Sequence, residues 1–359
     1  MSRVPSRTAA LTCVSFGLLL CAGSARAAGA PSPPPSVPAN PAPAGAPPAP
    51  PAPPPVRVQL SVQRARGNPP FALIGQRIVV LGTVAPYVAR QTVKLSVYRD
   101  GRKVAVKVVP VTAGAKGLGQ FHIIYASTRA GLVQVRATHY ATAAQAPFTG
   151  SSRSIRFVSP ALSSGAQGGS VWLLQAELYA LHYDVPRDGV FDEATSRAVI
   201  AYRKLVGLER VPSTNTRIFQ LLQQGAGSFR VRYRGDGRHV EADLTRQVLA
   251  EIEPGGHVRA IFEVSSGKPS TPTVVGRFRV YEKTPGFNAK GMLDSNYFIA
   301  GYAIHGYAEV PNYPASHGCL RVPIPNASSI FAWVQVGMPV DVYDEYGGGS
   351  KHVRGNAGP

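Results

Sequence analysis

At 359 residues the chain is long enough for two or three domains with ordinary cores. Its formal net charge of +19 favours polyanionic surroundings, yet the basic residues stand singly and not in runs, which argues against a nucleic-acid surface. Of three cysteines, two fall at Cys13 and Cys21, so a chain processed after its N-terminus keeps Cys319 without a disulfide partner.

The first segment, 1–27, reads as a secretory signal peptide. Arg3 and Arg7 lead, a small apolar run follows from Ala9 to Ala22, and Ala25-Arg26-Ala27 fits a small-residue cleavage site. The run is short for a membrane span, and Leu20 stands where lipidation of Cys21 would need a small residue. The expected location is therefore outside the cytoplasm. Losing Arg3, Arg7 and Arg26 still leaves a net charge of +16. Residues 28–55 are almost all Pro and Ala, a composition that buries no core and stiffens into an extended spacer.

At Val56 the pattern becomes alternating, with Val56, Val58, Leu60 and Val62 on one face and Arg57, Gln59, Ser61 and Gln63 on the other. Similar runs follow at Arg77–Val84, Thr92–Tyr98, Lys103–Val109, Gln120–Tyr125, Leu132–Thr138 and Ser154–Val158, and Asp100-Gly101 makes a hairpin turn. Seven short strands over residues 56–160, with no helical period, point to an immunoglobulin-like β-sandwich acting as spacer or adhesion unit.

Past Pro160 and a Gly/Ser joint the period turns helical. Val171, Leu174, Leu178 and Leu181 share a helix face. Asp192 caps a second helix carrying Ala198, Val199, Tyr202 and Leu205, and Ile218, Leu221 and Leu222 mark a third. With Gly189-Val190-Phe191-Asp192 and Thr195 ahead of Ala198-Val199, residues 168–225 resemble the small peptidoglycan-binding module of wall enzymes. Tyr202-Arg203 departs from that module's usual Phe-Gln.

The last domain, 229–344, opens with strand-like runs at His239–Leu244, Val248–Ile252 and Val258–Val264, read as a mostly antiparallel sheet. Tyr297–Ile304 (YFIAGYAI) reads as one buried strand that delivers His305-Gly306 at its end. Ser316-His317-Gly318-Cys319 reads as a tight turn whose N–H groups can converge on an anion. Asn326 is the expected cap of a helix with Ile330, Phe331 and Val334 inward, ending at Gly337, and Pro339–Tyr343 closes the sheet. Residues 345–359 form a Gly-rich, charged tail expected to be mobile.

A His-Gly followed 11 to 16 residues later by Ser-His-Gly-Cys-Leu-Arg closely resembles the catalytic signature of the L,D-transpeptidases, bacterial enzymes that cross-link peptidoglycan. Ser265-Ser266-Gly267-Lys268, Thr271-Pro272 and Gly276–Val280 resemble a second stretch of that family, with Ser-Ser-Gly where Ser-Thr-Gly is commoner. The resemblance implies a mainly β catalytic fold. It implies Cys319 as nucleophile on the carbonyl before D-alanine in a stem tetrapeptide, His305 as base, and the Gly306 carbonyl as the group that orients it. The N–H groups of His317, Gly318 and Cys319 would be oxyanion donors, with Ser316 a turn residue and Arg321 a brace or a carboxylate partner. The segment Thr284–Tyr297 has the length of a lid, from which Met292 and Tyr297 would touch substrate.

On this reading the protein is an exported enzyme forming 3→3 cross-links through a thioester. Its partners are peptidoglycan stem peptides and glycan, with anionic cell-wall polymers suited to its charge. No cofactor, metal or nucleic acid is expected, and carbapenems are expected to acylate the same thiol. The same acyl-enzyme would serve an L,D-carboxypeptidase or the attachment of a wall protein, and a non-catalytic peptidoglycan-binding protein is a further alternative. A zinc site of His305, His317 and Cys319 competes, though His and Cys one glycine apart are awkward ligands and no carboxylate shares the motif.

Overall fold

The computed structural model describes residues 55–345 apart from positions 66 and 68; the signal segment, nearly all of the Pro/Ala linker and the tail past residue 345 lie outside the described residues. Among those described, no helix is long and apolar enough to cross a membrane.

The alternating runs form two sheets. β1 (Arg57–Gln63), β3 (Ile78–Ala85), β7 (Gly119–Tyr125) and β6 (Thr112–Ala113) make one, in that order. β2 (Phe71–Leu73), β10 (Ile155–Val158), β8 (Gly131–His139), β4 (Thr92–Arg99) and β5 (Arg102–Pro110) make the other, with β9 (Phe148–Ser151) also paired to β8. Period-2 side chains explain the shared core: Val80, Val84, Phe121 and Ile123 of the first sheet meet Val93, Leu95, Val97, Val133 and Val135 of the second. The seven expected strands form. β2, β6 and β9 were not foreseen, being two to four residues long and so without visible alternation. Asp100 and Gly101 both take positive φ, 49° and 77°, as a two-residue hairpin turn requires.

Three helices follow: α1 (Gly169–Ala180), α2 (Glu193–Leu205) and α3 (Thr216–Gln223). Asp192 Oδ1 accepts from the Thr195 N–H at 2.8 Å and Asn215 Oδ1 from the Ile218 N–H at 3.1 Å, so each side chain satisfies an orphan donor. Tyr202 and Arg203 are interior braces: Tyr202 donates to Ala226 O at 3.2 Å, and Arg203 to Ser213 O and Glu209 O, both at 2.8 Å. The helices do not stand apart from their neighbours. Leu174, Phe191, Tyr202 and Phe219 share one apolar cluster with Phe71, Leu73 and Val158 on one side and Val248, Ala250, Ile252 and Ile261 on the other. Each such side chain taken fully out of water contributes about 1.5–3 kcal/mol, so the contact resists separation.

The remaining sheet runs β13 (His257–Glu263), β12 (Val248–Glu253), β11 (His239–Asp243), β19 (Pro339–Tyr343) and β14 (Gly276–Arg279), antiparallel except between β11 and β19. Both faces of β12 are covered, which is why its sequence carries an unbroken buried run. Val248, Ala250 and Ile252 face the helices, whereas Leu249 joins Val240, Phe262 and Val340 in a second core. The other side of that core comes from β16 (Leu293–Ile299), β17 (Tyr302–Tyr307), β18 (Leu320–Pro323) and α4 (Ile324–Trp333), with β15 (Glu282–Phe287) pairing β16 at the edge of their sheet.

Three expectations are corrected here. Tyr297–Ile304 is not one strand: Ala300 (φ 40°) and Gly301 (φ 83°) turn the chain back, so that Ile299 pairs Tyr302 and Tyr297 pairs Ala303. Thr284–Tyr297 is a hairpin of the same sheet instead of a loose lid, with its tip tied by Asn288 Oδ1, which accepts the N–H groups of Lys290 at 2.9 Å and Met292 at 3.1 Å. α4 begins at Ile324 with Pro325 in its first turn, where a missing N–H costs nothing, so Asn326 lies inside the helix. Its buried face is Ala327, Ile330 and Trp333, and Phe331 is only partly covered.

Candidate active site

β17 and β18 run parallel with Ile304 opposite Leu320 and His305 opposite Arg321. Alternation places Ala303, His305 and Tyr307 on one face of β17, and the backbone of Ala303 reaches the Cys319 thiol. Cys319 and Arg321 therefore stand beside Ala303 and His305 on the same face. His305, Tyr307, Cys319 and Arg321 all line one cavity of about 340 Å³, closed by Ala300, Gly301 and Tyr302 of the turn and by Lys290 and Met292 of the hairpin tip. A larger hollow of about 500 Å³ lies among Arg230, Arg246 and Tyr343 and contains neither cysteine nor histidine.

His305 is buried, at 3% exposure. Its Nδ1 lies 2.9 Å from Gly306 O, and because a carbonyl only accepts, Nδ1 carries the proton and Nε2 the lone pair. Burial pushes the ring down to about 4, Arg321 adds to the fall, and the Gly306 bond opposes it. The Cys319 thiol is half-buried, with Sγ 3.9 Å from Gly301 O. Burial raises its pKa, while the Ala303 backbone, Arg321 and Lys290 pull it back. Burial thus works against the charged form of each group.

Ser316 organises the turn. Its Oγ donates to Cys319 O at 2.6 Å and accepts from the Gly318 N–H at 3.1 Å. The Gly318 N–H is thereby engaged, which takes it out of the set of expected oxyanion donors. Gly318 has φ +119°, and a Cβ there would lie 2.2 Å from the Tyr302 ring, so only glycine fits. His317 is exposed at the rim of the same cavity, with Nε2 3.4 Å from Lys268 Nζ.

The stretch 265–273 is the cradle of this turn. Ser266 O accepts the N–H groups of Ala315 and Ser316, Lys268 N donates to Ser316 O at 2.9 Å, and Thr273 Oγ1 donates to Gly318 O at 2.8 Å. A Cβ on Gly267 would meet Thr271 O at 2.3 Å. Arg321 stacks over Tyr307, 4.0 Å from the ring centroid, while still facing the cavity.

Of the expected substrate contacts Met292 lines the cavity and Tyr297 does not; its hydroxyl is engaged by Asn288 at 3.4 Å. Lys290, Tyr302 and Tyr307 were missed. Tyr307 was readable, since it stands two residues beyond His305 on the same strand face. Among the described residues no group of three or more His, Cys, Asp or Glu side chains could hold a metal ion.

A family model described as the L,D-transpeptidase catalytic domain (YkuD) matches residues 237–342. A crystal structure of the L,D-transpeptidase of Xylanimonas cellulosilytica (residues 123–326) is 31% identical over 51% of this chain and 97% of its own, with a TM-score of 0.48. One from Stackebrandtia nassauensis is 21% identical over 51% and 94%, TM-score 0.34. The transpeptidase LdtMt1 in complex with imipenem is 15% identical over 81% and 100%, TM-score 0.26. A search of curated proteins found no match. The family's catalytic-domain pattern matches residues 237–342, so the chain carries an L,D-transpeptidase catalytic domain over those residues.

Proposed function

We propose that the protein is an exported L,D-transpeptidase that forms 3→3 peptidoglycan cross-links through a thioester on Cys319. The observation that carries this reading is the placement of a neutral, Nδ1-protonated His305 and the Cys319 thiol on one face of two adjacent parallel strands, at the wall of a shared cavity. In the first half-reaction Sγ attacks the carbonyl carbon of the third stem residue as its proton passes to His305 Nε2. The N–H groups of His317 and Cys319 receive the oxyanion, a contribution of about 3–4 kcal/mol per well-placed donor. The bond to D-alanine then breaks, and the leaving amine takes the proton from His305. In the second half the acceptor amine gives its proton to the ring, attacks the thioester and returns the sulfur as thiol. The energy of the donor peptide bond is kept in the thioester, so no nucleotide enters the balance.

The same intermediate meeting water gives an L,D-carboxypeptidase, and meeting a protein amine gives wall attachment. The positive mouth made by Lys290 and Arg321 suits an anionic stem peptide, and the overall charge suits anionic wall polymers. Glycan binding by residues 168–225 belongs to this reading as well; sacculus pull-down tests it.

The deciding experiment incubates the protein with defined tetrapeptide stems and follows free D-alanine, cross-linked dimer and intact protein mass. An acyl adduct on the parent and none on Cys319→Ala supports the proposal. Unchanged stems, or an adduct that survives the substitution, removes it. A carbapenem, the class of the imipenem held by one relative, is expected to leave the same adduct dependence.

A further inference from the structure

Away from the cavity, buried charge is concentrated where α2 meets the end of β13 and the loop 308–316. Lys204 and Glu263 have fully buried side chains, with Nζ 3.0 Å from Oε1, and Lys204 Nζ also donates to Val264 O at 2.9 Å. Arg197 Nη1 reaches Glu263 Oε2 at 3.2 Å and Val310 O at 2.8 Å. Arg210, 1% exposed, donates to Asn312 O at 2.5 Å, and Asn312 Nδ2 donates back to Arg210 O at 2.7 Å.

The carbonyls captured are not arbitrary ones. Val310 and Asn312 lie in the loop that joins His305 to Ser316. Val264 precedes Ser265, whose Oγ donates to Tyr313 O at 2.6 Å, and Ser266, which holds Ala315 and Ser316. Burial drags Lys204 down to about 8 and Arg210 to about 10, with Glu263 opposing in both, so the carboxylate sustains the charges around it. Apolar packing would join these surfaces without the desolvation cost; charged, directional bonds add a single register.

We propose that Arg197, Lys204 and Arg210 are positioning residues for the Cys319 turn: through the backbone at 264, 310 and 312 they make the helical segment part of the catalytic frame. The proposal rests on the reading of Cys319 as nucleophile.

The test uses the full chain with Asn312→Ala and Arg197→Met, both at partly exposed positions, against Gln223→Ala. Gln223 sits on α3 and its Nε2 donates to Phe71 O at 3.2 Å, on the β-sandwich side. Iodoacetamide alkylation of Cys319 is measured against pH, together with melting temperature and kcat and KM on stem tetrapeptides. The first two variants are expected to raise the pH midpoint of alkylation, because the Ala303 backbone and Arg321 no longer hold the thiol down. They are also expected to lower kcat about tenfold or more, the scale of a small misplacement of a reacting group. Gln223→Ala costs melting temperature alone, and Arg197→Lys, which keeps a donor for Val310 O, recovers part of the loss. Midpoints equal to the parent's, or a shift of the same size in Gln223→Ala, overturn the proposal. Absence of peptide turnover in the parent would defeat the transpeptidase reading while the alkylation comparison still decides the positioning role.

Discussion

His305 gives its Nδ1 proton to the carbonyl of Gly306, and that bond leaves Nε2 as the nitrogen able to receive a proton from a thiol. A backbone carbonyl does not titrate, so the orientation of the ring is independent of pH. The ring itself is pushed down to about 4, chiefly by burial. A base must be neutral to act and is neutral above its pKa. The acylation rate is therefore expected to stay flat from about pH 7 down to about pH 5 and to fall only near the ring's own pKa. A single-turnover pH profile checks this, and an acid limb centred near 6.5 would mean a different base. His305→Gln is expected to lower the rate by about 10²–10⁴.

The thiol behaves oppositely. Its pKa is raised by burial despite Arg321 and Lys290 nearby, so on the proposed mechanism deprotonation is expected to accompany the attack instead of preceding it. Iodoacetamide, which reads thiolate directly, is expected to label Cys319 slowly at neutral pH and still faster beyond about pH 9, past the ordinary thiol range. A plateau below pH 7 would reveal a resting ion pair. Lys290→Ala, which removes a pull toward the thiolate, is expected to move the midpoint further up.

The proximity of Cys319, His305 and the Gly306 carbonyl was legible because they sit in one short stretch whose spacing is set by two strands and a loop. The cavity was not. It exists because Ala300-Gly301 folds an unbroken apolar run into a hairpin, and Ala-Gly lacks the Asn-Gly or Asp-Gly stamp that made Asp100-Gly101 readable. The helices were legible from their caps at Asp192 and Asn215, yet their union with β12 was hidden. Val248, Ala250 and Ile252 look the same in a sequence whether they face solvent-side helices or an isolated core. Buried cations such as Lys204 leave no sequence trace at all, since their partner Glu263 lies 59 positions away.

Gly318 faces the Tyr302 ring with φ +119°, which joins two separable costs in one position. Gly318→Ala is expected to lose about 1–3 kcal/mol through backbone strain alone, with the ring clash in addition. The double variant with Tyr302→Ala removes the clash and leaves the strain. It is expected to recover part of the melting temperature but little of the acylation rate, because the N–H groups of the turn stay misdirected. Full recovery of rate in the double variant would show that the ring contact alone requires glycine.

Glu251 lies on β12 on the face opposite the helices, fully buried, with Arg259 paired to Oε2 and no hydrogen-bond partner for Oε1 among the described residues. Burial raises its pKa to about 7, against an unfolded value of about 4.3, with Arg259 opposing. The folded protein thus binds more protons than the unfolded chain between those values. The contribution is fully present below about pH 4.3 and is lost as pH rises through about 7. Asp341, raised to about 6 by burial, adds in the same direction. Glu251→Gln stays neutral throughout, so it is expected to match the parent near pH 4 and to exceed it at pH 8 by at most about 4 kcal/mol. Thermal melts of both proteins across that range decide the matter: a Gln variant that is weaker than the parent at pH 8 would mean that the ionised pair with Arg259 outweighs the cost of burying it.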